Sequence, residues 1–81
     1  MSRRIRMYVT KWCGDCRRAR LFLERKKIAY EELDINADTE AAKFVMKTNA
    51  GKRKVPTFEV DGRVFSSSPF DPDQLSDELG L

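Results

Sequence analysis

Residues 8–20 read YVTKWCGDCRRAR, and this stretch decides how the chain is interpreted. It contains the two cysteines of the chain, Cys13 and Cys16, with two residues between them. It also marks a change of pattern, because alternating apolar residues lead into it and apolar residues at helical spacing follow Cys13. The cysteine pair is therefore predicted to lie where a strand ends and a helix begins.

The first half of the chain predicts a strand, a helix and a second strand. Residues 5–9, IRMYV, alternate between apolar and polar, which is typical of a strand. Residues 13–27 place apolar side chains along one stripe and predict an amphipathic helix. Residues 29–35, AYEELDI, return to a strand pattern. The helical stripe consists of Cys16, Ala19, Phe22 and Leu23.

A second helix is predicted next, and polar residues mark its limits. Asn36 or Asp38 can cap its first turn, and Gly51 is a typical residue beyond the end of a helix. The helical spacing of the apolar residues predicts which side is buried. That side consists of Ala41, Ala42, Val45 and Met46.

The last third predicts a hairpin and a short helix. Residues 57–60 and 63–66 flank the dipeptide Asp61-Gly62, which favours a two-residue turn between antiparallel strands. The helix is predicted from an N-cap, a proline at the first helical position and a glycine after the end. These three positions are Asp71, Pro72 and Gly80.

The predicted element order is β-α-β-α-β-β-α, which is an α/β fold. Because a right-handed crossover joins the parallel strands of a β-α-β unit, the first two strands are expected to be parallel. The hairpin adds antiparallel strands, so we expect a four-stranded mixed sheet with helices on both faces. A chain of 81 residues is long enough for one small core, and residues 1–81 are expected to form a single domain.

Composition narrows the class of protein. Apolar residues make up 41% of the chain and charged residues 36%, which is typical of a globular domain. The apolar runs are too short to predict a membrane span, and the start MSRRIRMYVT lacks the apolar region of a secretory signal. We therefore expect a cytoplasmic protein, in which a lone cysteine pair is catalytic or metal-binding more often than structural.

Charge is unevenly distributed along the chain. Residues 1–30 carry ten Lys or Arg and two acids, a net +8, whereas residues 57–81 carry one Arg and six acids, a net −5. Residues 31–56 balance, so the total is +3. A basic third of this kind is compatible with nucleic-acid binding, but it is more often a solvated surface or a means of attracting acidic partners.

Two non-catalytic interpretations of the cysteine pair are weak. A structural zinc site needs four ligands, usually Cys and His, and the chain has two Cys and no His. A disulfide between Cys13 and Cys16 would close a very short loop, and the stabilisation expected from a crosslink grows with loop length. No metal site is therefore predicted.

The redox interpretation uses every feature around the pair. A sulfur at the start of a helix is held as the thiolate by backbone N–H groups, and the thiolate attacks disulfides. Cys13 is therefore the predicted nucleophile, and Cys16, on the inward stripe, the predicted resolving thiol. Lys11 should lower the pKa of the Cys13 thiol and Asp15 should raise it. Trp12 is predicted to anchor the loop or to contact an incoming disulfide.

At this point the chain resembles the glutaredoxin family of the thioredoxin fold. The resemblance covers nearly the whole length and rests on YVTKWCGDC, on Val55-Pro56-Thr57 within KVPTF, and on the element order. WCGDC, IAYEELDI and TNAGKRKVPT look most like the mycoredoxins. SPFDPDQL is closer to the small glutaredoxin-like electron donors of ribonucleotide reductase, and Trp-Cys-Gly is shared with thioredoxins.

The resemblance implies further site residues. It implies that Pro56 follows a cis peptide bond and faces Cys13, and that the backbone of Val55 pairs with an extended substrate. It also implies that basic residues bind the carboxylate of a small thiol. The basic candidates are Lys11, Lys52 and Arg53. Where members that use glutathione carry Gly-Gly, this chain has Ser67 and Ser68, whose backbone or hydroxyl groups can take that part.

We therefore expect a dithiol–disulfide oxidoreductase that reduces protein disulfides or mixed disulfides with small thiols and carries no bound cofactor. Its reductant would be a low-molecular-weight thiol of the glutathione or mycothiol type, or an NADPH-dependent flavoprotein reductase. Its partners would be disulfide-containing proteins, not membranes or nucleic acid, and it would be a monomer. Two alternatives stay open. One is a redox-inactive basic module that binds nucleic acid, and the other is a dimer that holds an iron–sulfur cluster.

Overall fold

The computed structural model describes residues 4–81, and its elements follow the predicted order. The strands and helices are β1 (Ile5–Val9), α1 (Gly14–Arg25), β2 (Glu31–Asp34), α2 (Thr39–Thr48), β3 (Thr57–Val60), β4 (Arg63–Ser66) and α3 (Pro72–Leu79). The first helix is shorter than predicted, because Cys13 is its N-cap and Lys27 adopts a left-handed φ of 57° after its end.

The four strands form one mixed sheet in the order β2-β1-β3-β4. β1 pairs with β2 in parallel, whereas β1–β3 and β3–β4 are antiparallel. The carboxyl end of β1 therefore meets the amino end of β3, where Tyr8 pairs with Thr57. This arrangement brings the residues that follow β1 next to the residues that precede β3, and it creates the candidate site.

The β2 strand ends one residue earlier than predicted, although the pairing continues past it. The Ile35 N–H donates a hydrogen bond of 3.0 Å to the Val9 carbonyl, and the Ile35 side chain is buried. At the other end of the predicted range, residues 29 and 30 lie outside the strand.

Helices cover both faces of the sheet, as the sequence predicts. On one face, alternate residues of β1 pack with α1 and α3 in a core cluster of Ile5, Met7, Val9, Cys16, Ala19, Leu23, Phe58, Val60, Leu75 and Leu79. On the other face, Tyr8 and Ile35 pack with Ala41, Ala42 and Val45 of α2. Alternation along β1 therefore divides the core between the two faces.

One residue of α2 departs from the predicted pattern. Met46 is only half-buried, and the aromatic ring of Phe44 packs against the sheet instead. The Phe44 ring stacks on the Tyr8 ring with centroids 4.9 Å apart. The helical spacing of apolar residues favoured Met46 and did not predict the Phe44 contact. A large ring can reach the sheet even from the margin of the buried side of a helix.

The predicted caps and turns form as expected, and the structure chooses between the two candidates for α2. The Asp38 carboxylate accepts the Ala41 N–H at 3.1 Å, so Asp38 is the cap, not Asn36. Asp71 caps α3, and Gly80 ends it with a left-handed φ of 72°. The hairpin turn places Asp61 and Gly62 at positive φ, 51° and 87°.

Candidate active site

The sulfur of Cys13 lies at the amino end of α1. Cys13 is the N-cap residue, with extended backbone angles, and its Sγ accepts a hydrogen bond of 3.0 Å from the Cys16 backbone N–H. The Val55 carbonyl oxygen lies 3.9 Å from the same sulfur. Because N–H groups at a helix start carry partial positive charge, this position stabilises a thiolate at Cys13.

The two cysteines differ in exposure and are joined as a disulfide. Their Cα atoms are 5.2 Å apart, which suits a bond between neighbouring turns. Cys13 is half-buried, whereas the Cys16 side chain is fully buried within the core under α1. The structure therefore holds the oxidised pair, in which the Cys13 sulfur stands for the thiolate of the reduced form.

The loop before β3 forms the second side of the site. The Val55–Pro56 peptide bond is cis, as the resemblance implies, and Pro56 is fully buried. None of the backbone hydrogen bonds within residues 4–81 uses Val55. The Thr57 hydroxyl fixes the loop by donating to the Lys54 carbonyl at 2.6 Å. A backbone donor and acceptor therefore remain available beside the redox sulfur.

Lys11 and Trp12 line the side of the site next to β2. The Trp12 side chain is 96% exposed, so the loop does not use the indole as an anchor in the core. A shallow groove is lined by Lys11, Trp12, Asp34, Asn36 and Ala37. Exposure of a large aromatic side chain beside the reactive sulfur is typical of a contact surface.

The Asp15 carboxylate accepts two hydrogen bonds, and the sequence could not predict the one from Phe70. Its Oδ1 accepts one hydrogen bond from Arg18 Nη1 at 2.9 Å and another from the Phe70 backbone N–H at 3.1 Å. Asp15 therefore joins the start of α1 to the segment that precedes α3.

The basic residues predicted to bind a carboxylate lie in different environments. The Arg53 guanidinium donates to the Asn36 side-chain oxygen at 2.7 Å, which fastens it to the loop after β2. Lys11 and Lys52 are exposed, and within residues 4–81 neither forms an ion pair. The Arg53–Asn36 contact joins two loops far apart in sequence, and no pattern in the sequence signals it.

The two serines predicted at the Gly-Gly position also differ. Ser67 is 1% exposed; its N–H donates to the Pro56 carbonyl at 3.1 Å, and its hydroxyl accepts the Asp71 N–H at 3.0 Å. Ser68 is exposed and is followed by a second cis peptide bond, Ser68–Pro69, which no feature of the sequence predicts. Of the two serines, Ser68 is the one that presents its groups to solvent.

Tyr30, at the end of the connection between α1 and β2, has a raised pKa. The phenol of Tyr30 is partly desolvated and donates a hydrogen bond of 2.9 Å to Glu24, which together raise its pKa to about 12. This pair joins the end of α1 to the residue that precedes β2, and among residues 4–81 neither side chain is hydrogen-bonded to a cysteine.

Known proteins match the chain over most of its length. The glutaredoxin family profile matches residues 5–65. A Mycobacterium tuberculosis protein named as a glutaredoxin is 41% identical over 66 residues, which are 80% of this chain and 79% of that protein. Mycoredoxin 1 of Corynebacterium glutamicum is 31% identical over 65 residues, 80% of each chain.

A solved structure shows the same fold. The crystal structure of the thioredoxin-like protein BC3987 is 27% identical, matches with a TM-score of 0.77, and is covered over 96% of its length by 90% of this chain. The segment matched by the family includes both cysteines and the Val55–Pro56 pair. Within residues 4–81, no helix is long and apolar enough to cross a membrane. The chain belongs to the glutaredoxin family, and it is a thiol–disulfide oxidoreductase.

Proposed function

We propose that Cys13 attacks the substrate disulfide and that Cys16 resolves the resulting intermediate. The observation that carries this assignment is the difference in position of the two sulfurs. The half-buried Cys13 sulfur accepts the Cys16 backbone N–H at 3.0 Å, whereas the Cys16 side chain is fully buried. A half-exposed sulfur at a helix start is both reachable and stabilised as an anion. A buried sulfur within bonding distance can reach only its partner.

The exchange proceeds in two balanced steps. The Cys13 thiolate forms a bond to one substrate sulfur, the substrate S–S bond breaks, and the departing thiolate takes up a proton. The Cys16 thiol then loses its proton and attacks Cys13, which releases the second substrate sulfur as a thiol. The substrate disulfide gains two electrons, and Cys13 and Cys16 become a disulfide.

A peptide disulfide is held by the backbone of Val55 and the ring of Trp12. Val55 has no backbone hydrogen-bond partner within residues 4–81, and its carbonyl oxygen lies 3.9 Å from Cys13 Sγ. An extended peptide can pair with it by strand addition. The exposed indole covers the substrate from the other side, next to Lys11.

The reductant we propose is a low-molecular-weight thiol of the glutathione or mycothiol type. Likeness to mycoredoxin 1 supports this choice, as do the exposed Lys11 and Lys52, which are available to a carboxylate. Arg53 can contribute through the part of its guanidinium not bonded to Asn36. Ser68 offers exposed polar groups on the opposite side. A flavin-dependent reductase that uses NADPH is the competing reductant.

A protein that reduces disulfides is most useful where thiols are kept reduced, so we propose that the reaction takes place in the cytoplasm. The exchange needs one chain and no bound cofactor, so we propose that the protein acts as a monomer.

Two serine variants test the roles of the cysteines. Cys13→Ser should abolish exchange with every disulfide, because no attacking sulfur remains. Cys16→Ser should still reduce small mixed disulfides but should accumulate a covalent adduct with protein disulfides, visible by mass spectrometry. Activity in Cys13→Ser together with loss of activity in Cys16→Ser would reverse the assignment.

The reductant is tested by reducing the oxidised protein with glutathione, with mycothiol, and with thioredoxin reductase plus NADPH, each compared at equal protein concentration. Rapid reduction by the reductase and none by either thiol would contradict the small-thiol proposal and leave the cysteine roles intact.

A further inference from the structure

Asp15 connects two parts of the site that are far apart in sequence. It lies between the two cysteines, yet its Oδ1 accepts the N–H of Phe70, which is 55 residues further along the chain, at 3.1 Å. The same oxygen accepts Arg18 Nη1 at 2.9 Å, and the side chain of Asp15 is only 26% exposed. The carboxylate therefore faces the connection between β4 and α3.

That connection is anchored at both ends. We call residues 67–70 the rim segment. At its start, the Ser67 N–H donates to the Pro56 carbonyl at 3.1 Å. At its end, the Phe70 N–H donates to Asp15, and the Phe70 ring contacts Phe22 edge-on with centroids 6.1 Å apart. The two residues between the anchors are exposed.

Both anchors are neighbours of the redox sulfur. Pro56 follows Val55, whose carbonyl oxygen is 3.9 Å from Cys13 Sγ. Asp15 is two residues after Cys13 in the first turn of α1. The position of the rim segment relative to the sulfur is therefore set by Pro56 on one side and by Asp15 on the other. Removing the Asp15 oxygen would release one end and leave the other in place.

We propose that Asp15 is a positioning residue that fixes the rim segment for the small-thiol half of a mixed disulfide, and that it thereby favours such substrates over peptide disulfides. This inference rests on the proposed function, in which the small thiol contacts the rim segment through Ser68. A peptide disulfide is held instead by Val55 and Trp12, which have no contact with Asp15 through hydrogen bonds.

Three variants separate the hydrogen bond from the charge. Asp15→Ala removes both the acceptor and the charge. Asp15→Asn keeps an oxygen that can accept the Phe70 N–H but removes the charge. Arg18→Ala is the matched control, because it removes the other partner of the same oxygen and leaves the Phe70 bond in place.

The substrates are one reporter peptide in three forms: its mixed disulfide with glutathione, its mixed disulfide with mycothiol, and a version closed by an internal disulfide. For each, kcat and KM are measured separately. Hydrogen exchange of the Phe70 amide, followed by NMR, reports on the bond itself in the reduced and oxidised protein.

We expect Asp15→Ala to raise KM for a mixed disulfide roughly three- to tenfold, the factor that corresponds to losing one ordinary hydrogen bond. Its Phe70 amide should exchange faster by a similar factor. For the mixed disulfides, Asp15→Asn and Arg18→Ala should keep KM within about twofold of the unmodified protein, because both keep the Phe70 hydrogen bond. For the internal disulfide, all three variants should keep KM within about twofold, because the rim segment does not hold that substrate.

The proposal is wrong if Asp15→Asn raises KM as much as Asp15→Ala does, because charge would then be responsible. It is also wrong if Asp15→Ala changes KM equally for all three substrates, or for none. An unmodified protein that reduces the internal disulfide but neither mixed disulfide would overturn it as well.

Failure of the proposed function looks different. In that case the unmodified protein would turn over none of the three substrates, or Cys13→Ser would remain active. Either result would remove the specificity claim for Asp15 too, whereas equal KM changes for all three substrates in a protein with an active Cys13 sulfur would contradict the role of Asp15 alone.

Discussion

The charge of Asp15 acts on the Cys13 thiol separately from its hydrogen bonds. A carboxylate near a thiol disfavours the thiolate and raises the thiol pKa. Asp15→Asn should therefore lower the pKa of Cys13 in a titration of thiolate absorbance. This shift in the Cys13 pKa should be smaller than for a carboxylate without hydrogen bonds, because Asp15 Oδ1 already accepts hydrogen bonds from Arg18 and from the Phe70 N–H.

Arg18→Ala provides the control of opposite sign. It removes the cation beside Asp15 and leaves the carboxylate, so the pKa of Cys13 should rise. An unchanged or raised pKa in Asp15→Asn would show that the carboxylate has no electrostatic influence on the sulfur.

At the residue scale, contacts between residues close in sequence could be predicted, whereas contacts between distant segments could not. Cys13 and Cys16 lie on neighbouring turns of one helix, so spacing alone brings them together. The Arg53–Asn36 and Asp15–Phe70 bonds join segments 17 and 55 residues apart. They depend on how the loops converge at one edge of the sheet, which no periodicity encodes.

At the scale of elements, an ionisable hydrogen bond joins α1 to the residue that precedes β2. Tyr30 donates to Glu24 at 2.9 Å, and partial burial together with this bond raises the pKa of Tyr30 to about 12. In the unfolded chain a tyrosine loses its proton near pH 10. The unfolded state therefore releases this proton first as pH rises, which favours unfolding.

The resulting stability is fully present below about pH 10 and is lost as pH rises towards about 12. We expect the midpoint of urea unfolding to fall across this range, and to fall less in Tyr30→Phe. Absorbance titration of the folded protein should place the raised pKa on Tyr30. If Tyr30→Phe shows the same alkaline loss as the unmodified protein, other groups are responsible.

Element identity could be predicted from the sequence, whereas element ends could not always be. The caps Asp38 and Asp71 and the turn at Asp61-Gly62 have local chemical causes, and all three form. The pairing of β2 with β1 begins at Arg6 and Glu31, a start that the pattern of β2 alone does not encode, so the strand is shorter than its pattern. Phe44, which is only partly buried, packs against the buried cluster where Met46 was predicted to do so, because its ring stacks on Tyr8.

At the scale of the whole molecule, cations beside the site can be distinguished from cations far from it. Lys52 and Lys54 precede the Val55–Pro56 bond and are exposed, close to the residue that contacts the Cys13 sulfur. A further group of exposed cations lies at the far end of α1, roughly 20 Å from the sulfur along a helix that rises 1.5 Å per residue. The first group is next to Val55 in the chain and is therefore expected to act more strongly on a bound substrate at physiological salt, because screening reduces interactions beyond about 8 Å.

We therefore expect the protein to prefer disulfides in acidic segments. At low salt, a double variant Lys52→Gln, Lys54→Gln should lower kcat/KM for a disulfide peptide flanked by Asp and Glu by roughly two- to fivefold, since complementary charge raises the rate of encounter. Arg25→Gln with Lys26→Gln removes the same charge from the far end of α1 and should change this kcat/KM by less than about 1.5-fold.

The same peptide with Asn and Gln in place of the acids should respond to neither variant. Equal losses in both double variants would mean that net charge, not its placement, governs the rate, and a loss that persists at high salt would point to a contact other than an ionic one.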